Sequence, residues 1–144
     1  MEIELIPYPD ILIKDLPSIK YLLSIADETE FIDHGRANTE QYESKLYIKL
    51  ADKYVGFISP RKMADEEVEL FSKHLDYDLT GGWRITPIFI LGDYQGIGIG
   101  RNVLNLFYKD KKGMLWIDDD NIASQRMARY AGFEFRRDNF YIKI

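Results

Sequence analysis

The chain has 144 residues, a formal net charge of −5, two histidines and no cysteine. That length suits a single domain over residues 1–144, and a composition 46% hydrophobic and 14% aromatic excludes a disordered polymer. Without Cys there are no disulfides, thiolate nucleophiles or cysteine metal sites, two His make no multi-histidine centre, and the acidic balance argues against a nucleic-acid surface.

No metal site is therefore expected. No apolar run is long enough for a membrane span and no basic-then-apolar leader is visible, so a cytoplasmic protein without membrane contact is expected.

In chain order, Ile3 to Ile6 opens as a short strand that Pro7 and Pro9 end. Asp15 stands where a helix cap would, ahead of Leu16, Ile19, Leu22, Leu23 and Ala26 on one helical stripe. Residues 28–43 are polar and weakly patterned, a loop with a short helix. Leu46, Ile48 and Leu50 alternate with Tyr47 and Lys49, and Val55 and Phe57 follow Ala51-Asp52-Lys53, which predicts a hairpin. Residues 63–79 fit either a short helix or a strand extension, and Gly81-Gly82 then breaks the chain. Residues 85–91 are the most apolar strand candidate and are expected at the centre of a sheet.

Ile99, Val103, Leu106 and Phe107 follow at helical spacing, closed by Lys109, Lys111, Lys112 and Gly113. Residues 114–117 read as a second buried strand, with Trp116 in the core. Asn121 is expected to cap the next helix, whose inner side carries Ala123, Met127, Tyr130 and Ala131. Gly132 stops it with a positive φ. Phe133-Glu134-Phe135 and Phe140-Tyr141-Ile142 alternate about Asp138-Asn139, a terminal hairpin. The fold class is α+β. The final strand is a candidate edge through which two copies could pair as a homodimer.

Chemistry concentrates in Gln95-Gly96-Ile97-Gly98-Ile99-Gly100-Arg101. A strand, a glycine turn and a helix start bring unpaired N–H groups and the positive end of the helix dipole together, a seat for phosphate. Arg101 in the first helical turn opposes that dipole, which an anionic ligand would explain. The plain alternative is a tight turn with an incidental Arg. A dinucleotide fingerprint fails because Arg101 or Val103 stands at its third glycine, and a P-loop fails for want of Gly-Lys-Ser/Thr.

Gln95-x-x-Gly98-x-Gly100, with Asn121-x-x-Ser124 leading to Gly132-Phe133, resembles the paired signatures of the GCN5-related N-acetyltransferases. The resemblance spans residues 85–135 and is unspecific over residues 1–60. It implies a mixed, mostly antiparallel central sheet flanked by helices, with acetyl-CoA as cosubstrate. It further implies that Ile88 and Ile90 pair with the pantetheine arm and that the Ile90 N–H donates to the thioester oxygen. Gln95, Gly96, Ile97, Gly98, Ile99, Gly100 and Arg101 would hold the pyrophosphate, and Asn121 and Ser124 would line the pantetheine channel.

One position departs from the pattern. Many members place a Tyr four residues before the Gly of Gly-Phe, as an acid for the leaving thiolate; here it is Ala128. Tyr130 lies about 200° further around the helix and is expected to be a packing residue. Candidate bases for the acceptor amine are Glu30, Asp33, His34 and Asp118, of which His34 and Asp118 are the substrate-binding candidates. Each has a solvated surface group as its plain alternative. The resulting expectation is direct acetyl transfer to a primary amine of a small molecule or protein. The alternative is a CoA-binding regulatory module with weak or lost catalysis.

Overall fold

The computed structural model describes residues 1–32 and 35–144, with Thr86 and Pro87 described as strand backbone only. Seven strands, β1 (Ile3–Pro7), β2 (Leu46–Leu50), β3 (Lys53–Lys62), β4 (Trp83–Ile90), β5 (Gly113–Trp116), β6 (Phe133–Arg137) and β7 (Phe140–Lys143), form one sheet in the order β1-β2-β3-β4-β5-β7-β6. The helices are α1 (Leu16–Glu28), α2 (Asp65–Leu75), α3 (Ile99–Phe107) and α4 (Ile122–Tyr130). The class is α+β with a mixed, mostly antiparallel sheet, and β4 takes the expected central place. The chain divides into two compact units, Met1–Pro60 with Ile85–Ile99 and Arg61–Arg84 with Gly100–Ile144.

In the first unit β1 runs antiparallel to β2 with Ile3 opposite Leu50, and β2 antiparallel to β3 with Leu46 opposite Ile58. Ala51, at φ 56°, takes the tight turn between β2 and β3. The α1 stripe is as expected: Ile19, Leu22, Leu23 and Ala26 bury against Tyr47, Phe57 and Phe89. Each large apolar side chain in that cluster contributes roughly 1.5–3 kcal/mol.

Asp15 occupies the N-cap position of α1 yet makes no side-chain cap bond. A 3-10 turn runs straight into the helix, leaving Asp15 with helical φ and ψ, and Pro17 at the second position has no N–H to offer. Beyond α1 the loop contains 3-10 turns at Asn38–Glu40 and Tyr42–Ser44. Asn38 is fully buried, and its backbone N–H and Nδ2 both donate to Asp27. Burial would raise the Asp27 pKa, but N–H bonds from Asn38 and Thr39 and the Thr39 hydroxyl together leave it lowered.

In the second unit the ambiguous residues 63–79 contain a helix, α2 (Asp65–Leu75). Its inner side joins Met63, Leu75, Leu79, Met114 and Ile142, with Val68 and Phe71 packed alongside. The Glu67 carboxylate accepts from the Ala64 N–H at 3.1 Å and is gripped by Arg61 and Arg84. The Arg61 hydrogen bond, ahead of the smaller contributions of Ala64 and Arg84, holds its pKa down at about 2. β5 meets β4 in parallel with Trp83 opposite Gly113, and a Cβ at Gly113 would lie 2.5 Å from the Trp83 carbonyl oxygen.

The helix stripes differ in phase from the expected ones. In α3 it is Leu104 that is fully buried and Leu106 that is 44% exposed, because the buried face centres between Ile99, Val103 and Phe107 on the Leu104 side. In α4 the inner side carries Ser124, Met127, Ala128 and Ala131, while Ala123 and Tyr130 face outward. Trp116 is 53% exposed rather than core. It ends β5 opposite Phe140, the first residue of β7. The terminal hairpin is present, with Asp138 and Asn139 at φ 51° and 67° as a two-residue hairpin turn requires. However, β7 lies between β5 and β6, so the last strand is not an edge; β6 is.

Gly56 generates the sharpest stability prediction, since a Cβ there would lie 2.0 Å from the Phe89 carbonyl oxygen. Gly56→Ala should cost about 3 kcal/mol or more and lower the unfolding midpoint by on the order of 10 °C. Gly92→Ala, where nothing lies within 4 Å, should change little, and calorimetry on both variants checks the contrast. Glu67 ionises more readily folded than its ordinary 4.5, so its contribution is present above that pH and is lost on acidification towards about 2. Acid unfolding of Glu67→Gln should accordingly show a shallower loss of stability across that window than the parent chain.

Candidate functional site

The end of β4 and the start of the glycine turn belong to the first unit. Ile88 and Ile90 are half-buried on either side of the buried Phe89. Strand β3 secures the strand end, with the Leu91 N–H donating to the Val55 carbonyl at 2.9 Å. A 3-10 turn at Gly92–Tyr94 follows, and Gln95 then reaches back, its Nε2 donating to the Ile90 carbonyl at 2.9 Å. The Gln95 side chain thus ties the turn to the strand.

Gly96 and Gly98 have φ of 79° and 91°, and both precede the first residue of α3. L side chains rarely adopt that geometry, so the two glycines are required by the backbone. A Cβ at Gly96 would meet nothing within 4 Å. The space beside the Gly96 Cα is therefore open. Ile97 is exposed, while Ile99 and Gly100 are buried at the helix start.

Arg101, Asp118, Asn121 and Ser124 belong to the second unit. Arg101 is exposed, and its guanidinium carbon lies 5.1 Å from the centroid of the Tyr130 ring. Tyr130 itself is 69% exposed, so it is a platform for Arg101 and not the expected packing residue. A cation–π contact at an exposed site is worth about 0.5–1 kcal/mol, comparable with the cost of a cation at a helix N-terminus. Their separation across two helices left no periodic signal in the sequence.

Asn121 caps α4 as expected, its Oδ1 accepting from the Ser124 N–H at 3.1 Å. Asp118 is exposed and forms a local turn, Oδ1 accepting from the Asp120 N–H at 3.1 Å. Gln125, which the sequence did not single out, donates through Nε2 to the Asp118 and Asp119 carbonyls. Together they hold the acidic run against the start of α4. Ala128 is fully buried, and its methyl side chain has no proton to donate. Glu30 is exposed at the end of α1 with φ 58°, a helix-terminating conformation. Asp33 and His34 lie outside the described residues. No group of three or more His, Asp or Glu among the described residues is arranged to hold a metal ion, and no helix among them is long and apolar enough to cross a membrane.

No protein-family model matches the sequence, and no curated protein does. Solved structures do match, over nearly the whole chain. An acetyltransferase of the GNAT family from Streptococcus agalactiae superposes with a TM-score of 0.64 at 11% identity, covering 99% of this chain and 95% of that one. NAA60 of Arabidopsis thaliana, in complex with a bisubstrate analogue, gives 0.64 at 15% identity, covering 98% and 97%. The chain has the GNAT acetyltransferase fold. The aminoglycoside acetyltransferase AAC(6')-Ib, in complex with coenzyme A and kanamycin, gives 0.61 at 16% identity, covering 97% and 91%. At these identities the likeness is one of GNAT fold. Its occurrence among several acetyltransferases agrees with the order of strand, glycine turn, helix and capped helix described above.

Within this GNAT fold the Asn121 cap can be tested apart from any ligand. Asn121→Ala should destabilise the protein by about 1 kcal/mol, while Asn121→Ser keeps an acceptor for the Ser124 N–H and should recover most of it. Equilibrium denaturation of the two variants measures the difference.

Proposed function

We propose that the chain is an N-acetyltransferase, a single catalytic domain over residues 1–144 that moves an acetyl group from acetyl-CoA to a primary amine. The observation that carries this reading is the open glycine turn, with Gly96 and Gly98 at positive φ between the central strand and α3. Solved structures of the same fold include enzymes bound to coenzyme A and to amine substrates or bisubstrate analogues.

The fit is physical. In this reading backbone N–H groups within residues 96–101 would hold the pyrophosphate, and the dipole of α3 would add positive potential there. Arg101, steadied by Tyr130, adds a full positive charge. Ile88 and Ile90 present strand backbone to an extended pantetheine arm, with the Ile90 N–H as donor to the charge developing on the thioester oxygen. The Asn121 amide and Ser124 stand at the start of α4 to bond the arm.

The acceptor amine attacks the thioester directly, because the chain has no Cys to carry the acyl group. Its proton passes to a base drawn from Glu30, Asp33, His34 and Asp118. Ala128 has no proton to give, and with a free thiol pKa of about 8.5 the thiolate can leave unassisted. That same Ala128 favours the second reading, a CoA-binding module without turnover. The two readings differ in whether CoA is released from acetyl-CoA in the presence of amines.

Acetyl-CoA at a hundredfold excess over its dissociation constant should stabilise the chain by ~2.7 kcal/mol, a rise of several degrees in the unfolding midpoint. Arg101→Ala should unfold at the parent temperature alone yet bind about tenfold more weakly, as loss of a charge-assisted hydrogen bond predicts. An unshifted midpoint for the parent chain would remove both CoA readings.

A further inference from the structure

A cavity of about 460 Å³ in the first unit has a lining that the acetyl-transfer reading does not use. Asp15 and Tyr21 line it from the N-cap and first half of α1, Asp52 from the turn between β2 and β3, Tyr54 from the start of β3, and Tyr94 from the segment after β4. Three tyrosines and two aspartates from three separate parts of the chain thus line one space, with Lys53 the cation among the lining residues.

The carboxylates have no other task. Asp15 stands at the N-cap of α1 without bonding the helix, and neither its carboxylate nor that of Asp52 is engaged in a hydrogen bond or ion pair with a described residue. A helix that forgoes its cap gives up about 1 kcal/mol, and such departures from local rules cluster at functional sites. Tyr54 already attracts one cation, the Lys49 ammonium 5.7 Å from its ring centroid. Burial, then the Asp15 and Glu4 charges, push the Tyr54 phenol pKa up, which agrees with an Asp15 charge near that ring. Tyr21 is 57% exposed, an aromatic face on the outside of α1 with no core to fill.

We propose that this cavity binds a small organic ammonium ion. Ring faces carry negative electrostatic potential, and two carboxylates add full charge, so a cation with an apolar coat satisfies both. A bare metal ion would leave the rings unused, and a neutral apolar ligand would leave the carboxylates unused. The volume falls in the range of small-molecule sites. An occupant would also rest on Leu91 and Tyr94, which are joined by a 2.9 Å bond just ahead of the Gln95 tie. This inference stands apart from the coenzyme reading, and its test uses neither coenzyme nor turnover.

The test is titration of the full chain, by calorimetry and by amide resonance shifts, with choline, with spermidine, and with the neutral isostere of choline carrying tert-butyl in place of trimethylammonium. At least one ammonium ion should bind, shifting resonances of Tyr21, Asp52 and Tyr94. Choline alone identifies a methylated ammonium, and spermidine alone an amine that donates N–H bonds to the two carboxylates. The neutral isostere should bind about tenfold more weakly than the better ligand. The double variant Asp15→Asn with Asp52→Asn should lose about tenfold in affinity at an unchanged unfolding midpoint. Binding of neither ammonium ion overturns the proposal. So does equal binding of the isostere by the parent chain, or wild-type affinity in the double variant.

Discussion

The closest constraint in the fold is the approach of β3 to β4 at Gly56. There a backbone carbonyl occupies the space a side chain would need, and the Phe89 oxygen sits against a bare Cα. Phe89 then buries its ring beside Phe57 at 5.2 Å and Phe31 at 5.5 Å between centroids. With the strand held so firmly, its C-terminal end becomes a fixed point from which the Leu91 bond to Val55, the Gln95 tie to Ile90 and the glycine turn all follow. Any chemistry performed at the end of β4 inherits its precision from that packing.

The second unit is anchored differently. Tyr108 is fully buried, with its hydroxyl donating to the Trp83 carbonyl at 3.0 Å, and burial raises its pKa so that it stays a neutral donor. Gly113 exists to admit both the Tyr108 ring and the Trp83 oxygen, so the start of β5 depends on a missing side chain just as β3 does. Around this point Phe107, Tyr108 and Phe133 stack edge to face at about 5 Å, a geometry that adds attraction beyond buried area.

Two partly buried carboxylates are held by several donors each. Asp27 is satisfied by Asn38 and Thr39, and this ties the loop after α1 to the helix itself. Glu67 gathers two arginines and a helix N–H. Asp15 and Asp52 are the contrast, carboxylates left without such partners at the mouth of an aromatic cavity. Charge that a fold leaves uncommitted is charge available to a ligand, and the arrangement of rings around it selects the kind of ligand.

Local signals in the sequence determined the elements, the Asn121 cap, the Gly132 stop, the Asp138-Asn139 turn and the glycine segment, because each depends on φ preferences or hydrogen bonds within a few residues. They also sufficed for the α+β class and the central place of β4, since the apolar run 88–91 must be covered on both faces. Tertiary structure alone decided which side of α3 and α4 turned inward, since Leu104 and Leu106 are chemically alike and only the neighbouring surface distinguishes them. It decided that Trp116 and Tyr130 are exposed, that β7 is interior and β6 the edge, and that Arg101 meets Tyr130. Each of these rests on contacts between residues far apart in the chain, which periodicity does not encode. Even the failed cap at Asp15 belongs here: its residue type favoured capping, but the turn running into α1 and the missing N–H of Pro17 left the carboxylate free.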